Sequence, residues 1–157
     1  MNQDIAIKKP DKPLARAAVF RLEDALLKMP QADIQYIHRF APGVYLREMF
    51  VPAGVTMTGA IHKTAHISIF LEGSMIVTNQ DGEAVEIHAP IVELAQPGTK
   101  RAGHTLTPVR WLTVHPTELT DIDEIEDMIV TNDFSEVEHL VAPEYRDRLI
   151  ESDGEGT

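Results

Sequence analysis

GVTMTGAIHKTAHISIFLEG, the run from Gly54 to Gly73, decides how this 157-residue chain is read. His62, Thr64, His66, Ser68 and Phe70 share one parity, and Ile61, Ala65, Ile67, Ile69 and Leu71 share the other. Successive side chains of an extended strand point to opposite faces, so the run predicts a strand with one histidine-bearing face and one aliphatic face. A helix with histidines four apart is the competing geometry. Gly59 and the β-branched residues after His66 argue against it.

Outward from this run, IQYIHRF, VYLREMFV, SMIVTN, AVEIHA, IVELA and WLTVH are short and rich in β-branched or aromatic residues. They fill the chain from Ile34 to about His115. Pro42-Gly43, Pro52-Ala53-Gly54, Pro97-Gly98 and Thr107-Pro108 separate them, and Asp81-Gly82 is a hairpin signal between SMIVTN and AVEIHA. Short strands at this spacing predict a mainly β fold, an antiparallel sandwich or barrel. A helix is expected before it, from Ala15 to Met29, where Val19, Leu22, Leu26 and Met29 recur at helical spacing up to Pro30. A second is expected after it, from Asp121 to Val130, with Ile122, Ile125, Met128 and Ile129 on one face. The organisation is then a flexible arm (1–14), a barrel domain with flanking helices (15–130) and an acidic tail (131–157), ordered at most around Tyr145 to Ile150.

The spacing within Gly54–Gly73 resembles the first motif of the cupin superfamily: Gly, five residues, His, one residue, His, three or four residues, Glu, six residues, Gly. Gln96-Pro97-Gly98-Thr99-Lys100-Arg101 occupies the frame of the second motif, Pro-x-Gly-x-x-His. The resemblance covers roughly residues 40 to 116. It implies a single cupin-type antiparallel β-barrel, a jelly roll, with a pocket at its open end. It also implies a bend between the ligand positions. Residues four apart on a straight strand are ~13 Å apart, and Lys63-Thr64 is where the chain can bend. The identities depart from the motif: Ala60 stands at the first His position, His66 at the Glu position and Arg101 at the second-motif His position. Through GAIHKTAH, PGTKRAG and WLTVHPTELTD the chain also resembles small cupin-like proteins of tailed phages and prophages.

These residues point to a pocket with two chemistries. Neutral imidazoles from His62, His66 and a third histidine suit Zn, Fe, Ni or Mn. The expected set is His62, His66 and His104, with His115, on the parity of Trp111 and Thr113, as the alternative third. Arg101 would repel a cation but suits a carboxylate or phosphate, which a guanidinium grips with paired hydrogen bonds. Of the adjacent Lys100 and Arg101, one is expected to point inward. Thr64 shares the histidine face, and Lys63 stands at the rim. No Asp or Glu occurs between Met49 and Leu71 or between Leu94 and Pro116, and Glu72, on the parity of His66, is the nearest acid. The pocket is therefore expected to be locally positive and to take a small anionic molecule. His38, His88 and His139 have no such companions and read as ordinary surface or strand residues.

Composition narrows the classes. Without cysteine, disulfides, thiolate metal sites and thiol catalysis are excluded. No apolar run suits a membrane span or a signal peptide, which points to the cytoplasm. With 25 acidic against 14 basic residues and a net charge of −11, a nucleic-acid or anionic-membrane partner is not expected. Three functions remain. The first is a sensor or sequestering protein for a small carboxylate or phosphate, a nucleotide among the candidates. The second is a metal-dependent oxygenase, isomerase or lyase acting on a small polar substrate. The third is an inert barrel presenting its acidic helix. By resemblance to cupins, a homo-oligomer such as a homodimer is expected.

Overall fold

The computed structural model of the chain describes residues 16–79, 82–98 and 100–140. The expected arm (1–14), the turn residues Gln80 and Asp81, and the segment around Tyr145 to Ile150 lie outside the described residues. Among the described residues, eleven strands follow helix α1 (Arg16–Leu26): β1 (Gln35–Ala41), β2 (Val44–Val51), β3 (Thr56–Thr58), β4 (Ile61–His62), β5 (His66–Glu72), β6 (Ser74–Thr78), β7 (Ala84–His88), β8 (Ile91–Ala95), β9 (Ala102–Thr105), β10 (Val109–Pro116) and, after helix α2 (Ile122–Ile129), β11 (Val130–Thr131). One sheet has the order β1-β2-β10-β5-β8, a second the order β3-β9-β6-β7, and β11 pairs with β4. All pairings are antiparallel. From β2 onward nearly every connection other than the β6–β7 hairpin passes from one sheet to the other. This is a jelly roll, mainly β and flanked by two helices, as expected.

The parities of the strands decide what lies inside. Val51, Phe70 and Val109 of the larger sheet meet Met75 and Val77 of the smaller one in the buried core, with Trp111, Met49, Met57 and Ile87 packed around them. A second cluster, Tyr45 with Ile125 and Ile129, closes the other end. Ile125 and Ile129 are one helical turn apart on α2, so both reach the barrel, and burying each contributes ~1.5–3 kcal/mol. Asp121 caps this helix by accepting from the Glu124 amide at 3.0 Å, and Asp123 and Glu124 place negative charge at its positive end.

Helix α1 stops at Leu26, short of the expected Met29. Leu27 and Met29 are exposed, and the Gln31 amide donates to the carbonyls of Leu26 (3.0 Å) and Met29 (2.9 Å). The run Gly54–Gly73, expected as one strand, is broken into β3, β4 and β5, and two strands escaped the sequence reading, β9 and β11. Each is two to four residues long, too short for alternation to register. Ordered structure also continues past Val130, the expected edge of the domain. Two 3-10 turns, Phe134–Glu136 and Glu138–Leu140, follow β11, and Val137 between them is fully buried.

Gly73 links β5 of one sheet directly to β6 of the other. Its φ is +99°, and a Cβ there would lie 2.3 Å from the Pro108 carbonyl oxygen and 2.9 Å from Thr107 Oγ1. Both the conformation and the space require glycine. Gly73→Ala is expected to destabilise the fold by ~2–4 kcal/mol, read from the midpoint of chemical unfolding.

Candidate functional site

Three histidines from three strands converge at the end of the barrel that α2 closes. His66 opens β5, facing inward on the parity of Ser68 and Phe70. His115 lies on β10 and pairs across the ladder with Tyr45. His62 sits on β4, whose two residues are held from both sides. Val130 pairs with His62, the Lys63 amide donates to the Ile129 carbonyl (2.8 Å), and the Gly98 amide donates to the His62 carbonyl (2.9 Å). The chain bends at Lys63 and Thr64, as expected. The bend replaces the separation of a straight strand with a stack: the His62 and His66 rings are 4.1 Å apart, His66 and His115 4.7 Å, and His62 and His115 5.9 Å. One nitrogen from each of the three lies within 4.8 Å of the others.

Electrostatics keeps these rings neutral. Burial, then the neighbouring imidazoles and the Arg47 and Arg101 guanidiniums, lower His62 to about 3. Burial, then His66 and Arg47, lower His115 to about 4. His66 is lowered too, chiefly by burial, against a weak opposing contact with the Thr64 carbonyl. His115 Nε2 is 3.0 Å from Thr113 Oγ1, while its Nδ1 and that of His62 are buried without a hydrogen-bond partner. Buried polar atoms are seldom left so. Neutral rings with free nitrogens, close enough for small rotations to bring them within metal–nitrogen bonds of ~2.1 Å, fit a divalent ion.

His62 and His66 face a cavity of about 350 Å³, walled by Met49, Val51, Met57, Met75, Val109 and Trp111. Arg47 and Arg101 also line it, each with a carboxylate: Arg47 lies 3.4 Å from Glu126 of α2, and Arg101 3.4 Å from Glu93 of β8. Glu93 shares the inward parity of Ile91 and Ala95. An adjoining cavity of about 320 Å³ opens towards β7 and β8, lined by Phe70, Val85, Ile87 and Ile91, and shares Arg101, Glu93, Ser68 and Trp111 with the first. Trp111 Nε1 donates to Ser68 Oγ at 2.7 Å, fixing the ring that stands between them. The polar end of the barrel thus carries two guanidinium–carboxylate pairs beside the histidines, and methionine, valine and Trp111 side chains make up much of the remaining wall.

The expected site residues separate accordingly. His62, His66, His115 and Arg101 come together. His104 does not: it pairs with Thr56 and Ile76 across the smaller sheet, and its Nδ1 is 2.8 Å from Thr56 Oγ1. The preceding Gly103 is the residue facing inward, where a Cβ would meet Met75 Cε at 2.6 Å. His104 therefore faces outward, and the third histidine is His115. Lys100 points away from the cavity. Its side chain is fully buried under α1, with Nζ 2.5 Å from Glu23 Oε2 and 4.8 Å above the Phe20 ring. Of the two adjacent cations, Arg101 is the inward one. Thr64 is exposed at the bend, and Lys63 pairs with Glu136 at 3.5 Å. Glu72 is also displaced: an irregularity where β5 meets β10 pairs it with Arg110, on the outer face. Arg47, Glu93 and Glu126 were not singled out from the sequence. Arg47 was readable as a charge on the inward parity of Tyr45, Met49 and Val51; Glu126 carried no such signal.

Fold and site together define a cupin-type jelly roll with a three-histidine pocket. No protein-family profile and no curated protein matches the sequence. Solved structures resemble the barrel. KdgF from Halomonas sp. is 14% identical, with 62% of this chain and 90% of that one covered and a TM-score of 0.48. The Cnp3 cupin domain of Schizosaccharomyces pombe is 18% identical, covering 65% and 76%, with a TM-score of 0.45. A cupin superfamily protein of Desulfitobacterium hafniense is 12% identical, covering 69% and 94%, also with a TM-score of 0.45. At such identities the likeness concerns the barrel alone. No helix among the described residues is long and apolar enough to cross a membrane.

Proposed function

We propose that this chain is a small-molecule-binding protein whose ligand has an anionic head and an apolar body. His62, His66 and His115 hold a divalent metal, and Arg101, with Arg47, steadies a carboxylate or phosphate beside it. The observation that carries this reading is the pair of buried, partnerless Nδ1 atoms, on His62 and His115, in the cluster that stands beside Arg47 and Arg101 at one end of the cavity. Glu93 and Glu126 offset the two guanidiniums that would otherwise repel the ion. A bound metal would act as a Lewis acid towards an oxygen of the ligand. The protein's own groups orient the head, and the methionine and valine walls exclude water from the body. The role is sensing or sequestering such a molecule, in the cytoplasm.

A second reading is a metal-dependent oxygenase, isomerase or lyase. It is favoured by the position of His115 behind the other two, fully buried against Tyr45, while His62 and His66 face the cavity where a substrate would lie.

Elemental analysis of the purified protein tests the metal. Calorimetric titration with carboxylates and phosphates, against neutral analogues of equal size, tests the head group. Anions are expected to bind more tightly than their analogues. Arg101 is partly exposed and shared with Glu93, so Arg101→Ala is expected to weaken anion binding about tenfold to thirtyfold, ~1.4–2 kcal/mol. Equal affinity for neutral analogues, or anion affinity indifferent to Arg101, would overturn the head-group assignment.

A further inference from the structure

Arg101 and Glu93 stand together where the two cavities adjoin, and each residue lines both. The hydrogen bond from Arg101 Nη1 to Glu93 Oε1 measures 3.4 Å, long for a charged pair. A guanidinium is a fork of several donors and a carboxylate has two accepting oxygens, so this contact exhausts neither group. Trp111 completes the arrangement. Its Nε1 donates to the buried Ser68 Oγ at 2.7 Å, and Ser68 is paired with Glu93 across the sheet. On the inner face, Ser68 is therefore flanked by the acid on one side and the indole on the other. A simple anion gains little from such a place. Glu93 repels the carboxylate or phosphate that Arg101 attracts, and at this separation the two fields largely cancel. The same cancellation recurs at Arg47 and Glu126, 3.4 Å apart. A ligand gains from both members of a pair only if it carries a charge of each sign, side by side.

Resting on the anionic head proposed above, we infer that the ligand is a zwitterion, an α-amino acid with an apolar side chain. Its carboxylate meets Arg101 and its ammonium meets Glu93, so that four charges alternate in sign around a ring. In an α-amino acid both charges are borne on one carbon. They are close enough to meet a guanidinium and a carboxylate that are themselves in contact, whereas the termini of a peptide are too far apart. The face of the Trp111 indole offers the ammonium a second attraction. Arg101 and Glu93 are the pair that serves, because both line both cavities and Ser68 ties the indole to them; Arg47 and Glu126 line only the cavity of the histidines. The apolar side chain then lies among Met49, Met57, Met75 and Val109, in a cavity of about 350 Å³. That volume is at the small end of ligand pockets and suits a molecule of amino-acid size.

Calorimetric titration of the purified full chain with matched sets of compounds tests the inference. One set is L-leucine, isocaproate, which lacks the ammonium, and isoamylamine, which lacks the carboxylate. The other is L-phenylalanine, hydrocinnamate and phenethylamine. At least one amino acid is expected to bind about tenfold more tightly than its acid, and more tightly still than its amine. Glu93→Gln keeps the size of the side chain and removes its charge. It is expected to weaken the amino acid about tenfold and to leave the acid unchanged or tighter, so that the preference disappears. An acid that binds as tightly as its amino acid would overturn the zwitterion and leave the anionic head standing. An amine that binds as tightly as its amino acid would overturn the anionic head itself, and failure of every compound to bind would overturn both. A preference for the amino acid that survives in Glu93→Gln would overturn the pairing of the ammonium with Glu93. The comparison within each set on the wild type decides the zwitterion even should the variant fail to fold.

Discussion

Zinc added to metal-free protein at about a thousand times its dissociation constant is expected to raise the unfolding temperature by roughly 8–16 °C. An ion that binds only the folded state stabilises it by ~4.1 kcal/mol at that ratio, and a chain of this length gains ~2–4 °C per kcal/mol. His115→Ala is expected to abolish the shift, because it removes one of the three ligands of the cluster. His104→Ala leaves it intact, since that ring lies on the outer face against Thr56. Differential scanning fluorimetry with and without chelator reads both. A shift that persists in His115→Ala would move the metal elsewhere in the protein.

The second large effect comes from acid. The folded pKa values of His62 and His115, about 3 and about 4, lie below the 6.5 of the unfolded chain. Below pH 6.5 the unfolded state therefore binds protons that the folded state refuses, and folding stability falls with pH. Each histidine contributes up to ~1.4 kcal/mol per pH unit in this window. Metal-free protein is expected to lose on the order of 5 kcal/mol between pH 6.5 and 4, a large part of the 5–15 kcal/mol typical of a domain. The carboxylates with lowered values, Glu23, Glu48 and Asp133, lose their contribution only as pH falls below their unfolded values of 4.5 for the glutamates and 3.8 for the aspartate, so the interval from 6.5 to 5 belongs to the histidines. Urea unfolding at several pH values, on wild type and on His62→Gln with His115→Gln, checks this. An equal pH slope in both proteins would show that the rings protonate in place.

Alternation made much of this legible in advance. His66, Ser68 and Phe70 face inward as their parity requires, and His115 follows Trp111 and Thr113. The same rule, applied further, would have removed His104. It lies three residues from Arg101 along a continuous inward-outward count, so the two fall on opposite faces. What alternation could not supply was its own interruption. The irregularity between β5 and β10 carried Glu72 to the outer face, and nothing in the local sequence marks it. The guanidinium–carboxylate pairs were hidden for another reason. Glu126 reaches Arg47 from a helix 79 residues away, and Glu93, eight residues before Arg101, lies just outside the acid-free segment from Leu94 to Pro116. That the strand of His62 stands apart from β5 was not readable, because it is two residues long and is held by its pairing with β11.

That pairing also sets a timetable for biosynthesis. His62 is made before Gly98, Ile129 and Val130, yet its position depends on all three. His115 too emerges some fifty residues after His62. During translation, at roughly 5–20 residues per second, the early strands leave the ribosome before any of these later partners. The three rings first meet after α2 has emerged and docked. A metal held by these three rings would be captured only once α2 has been made.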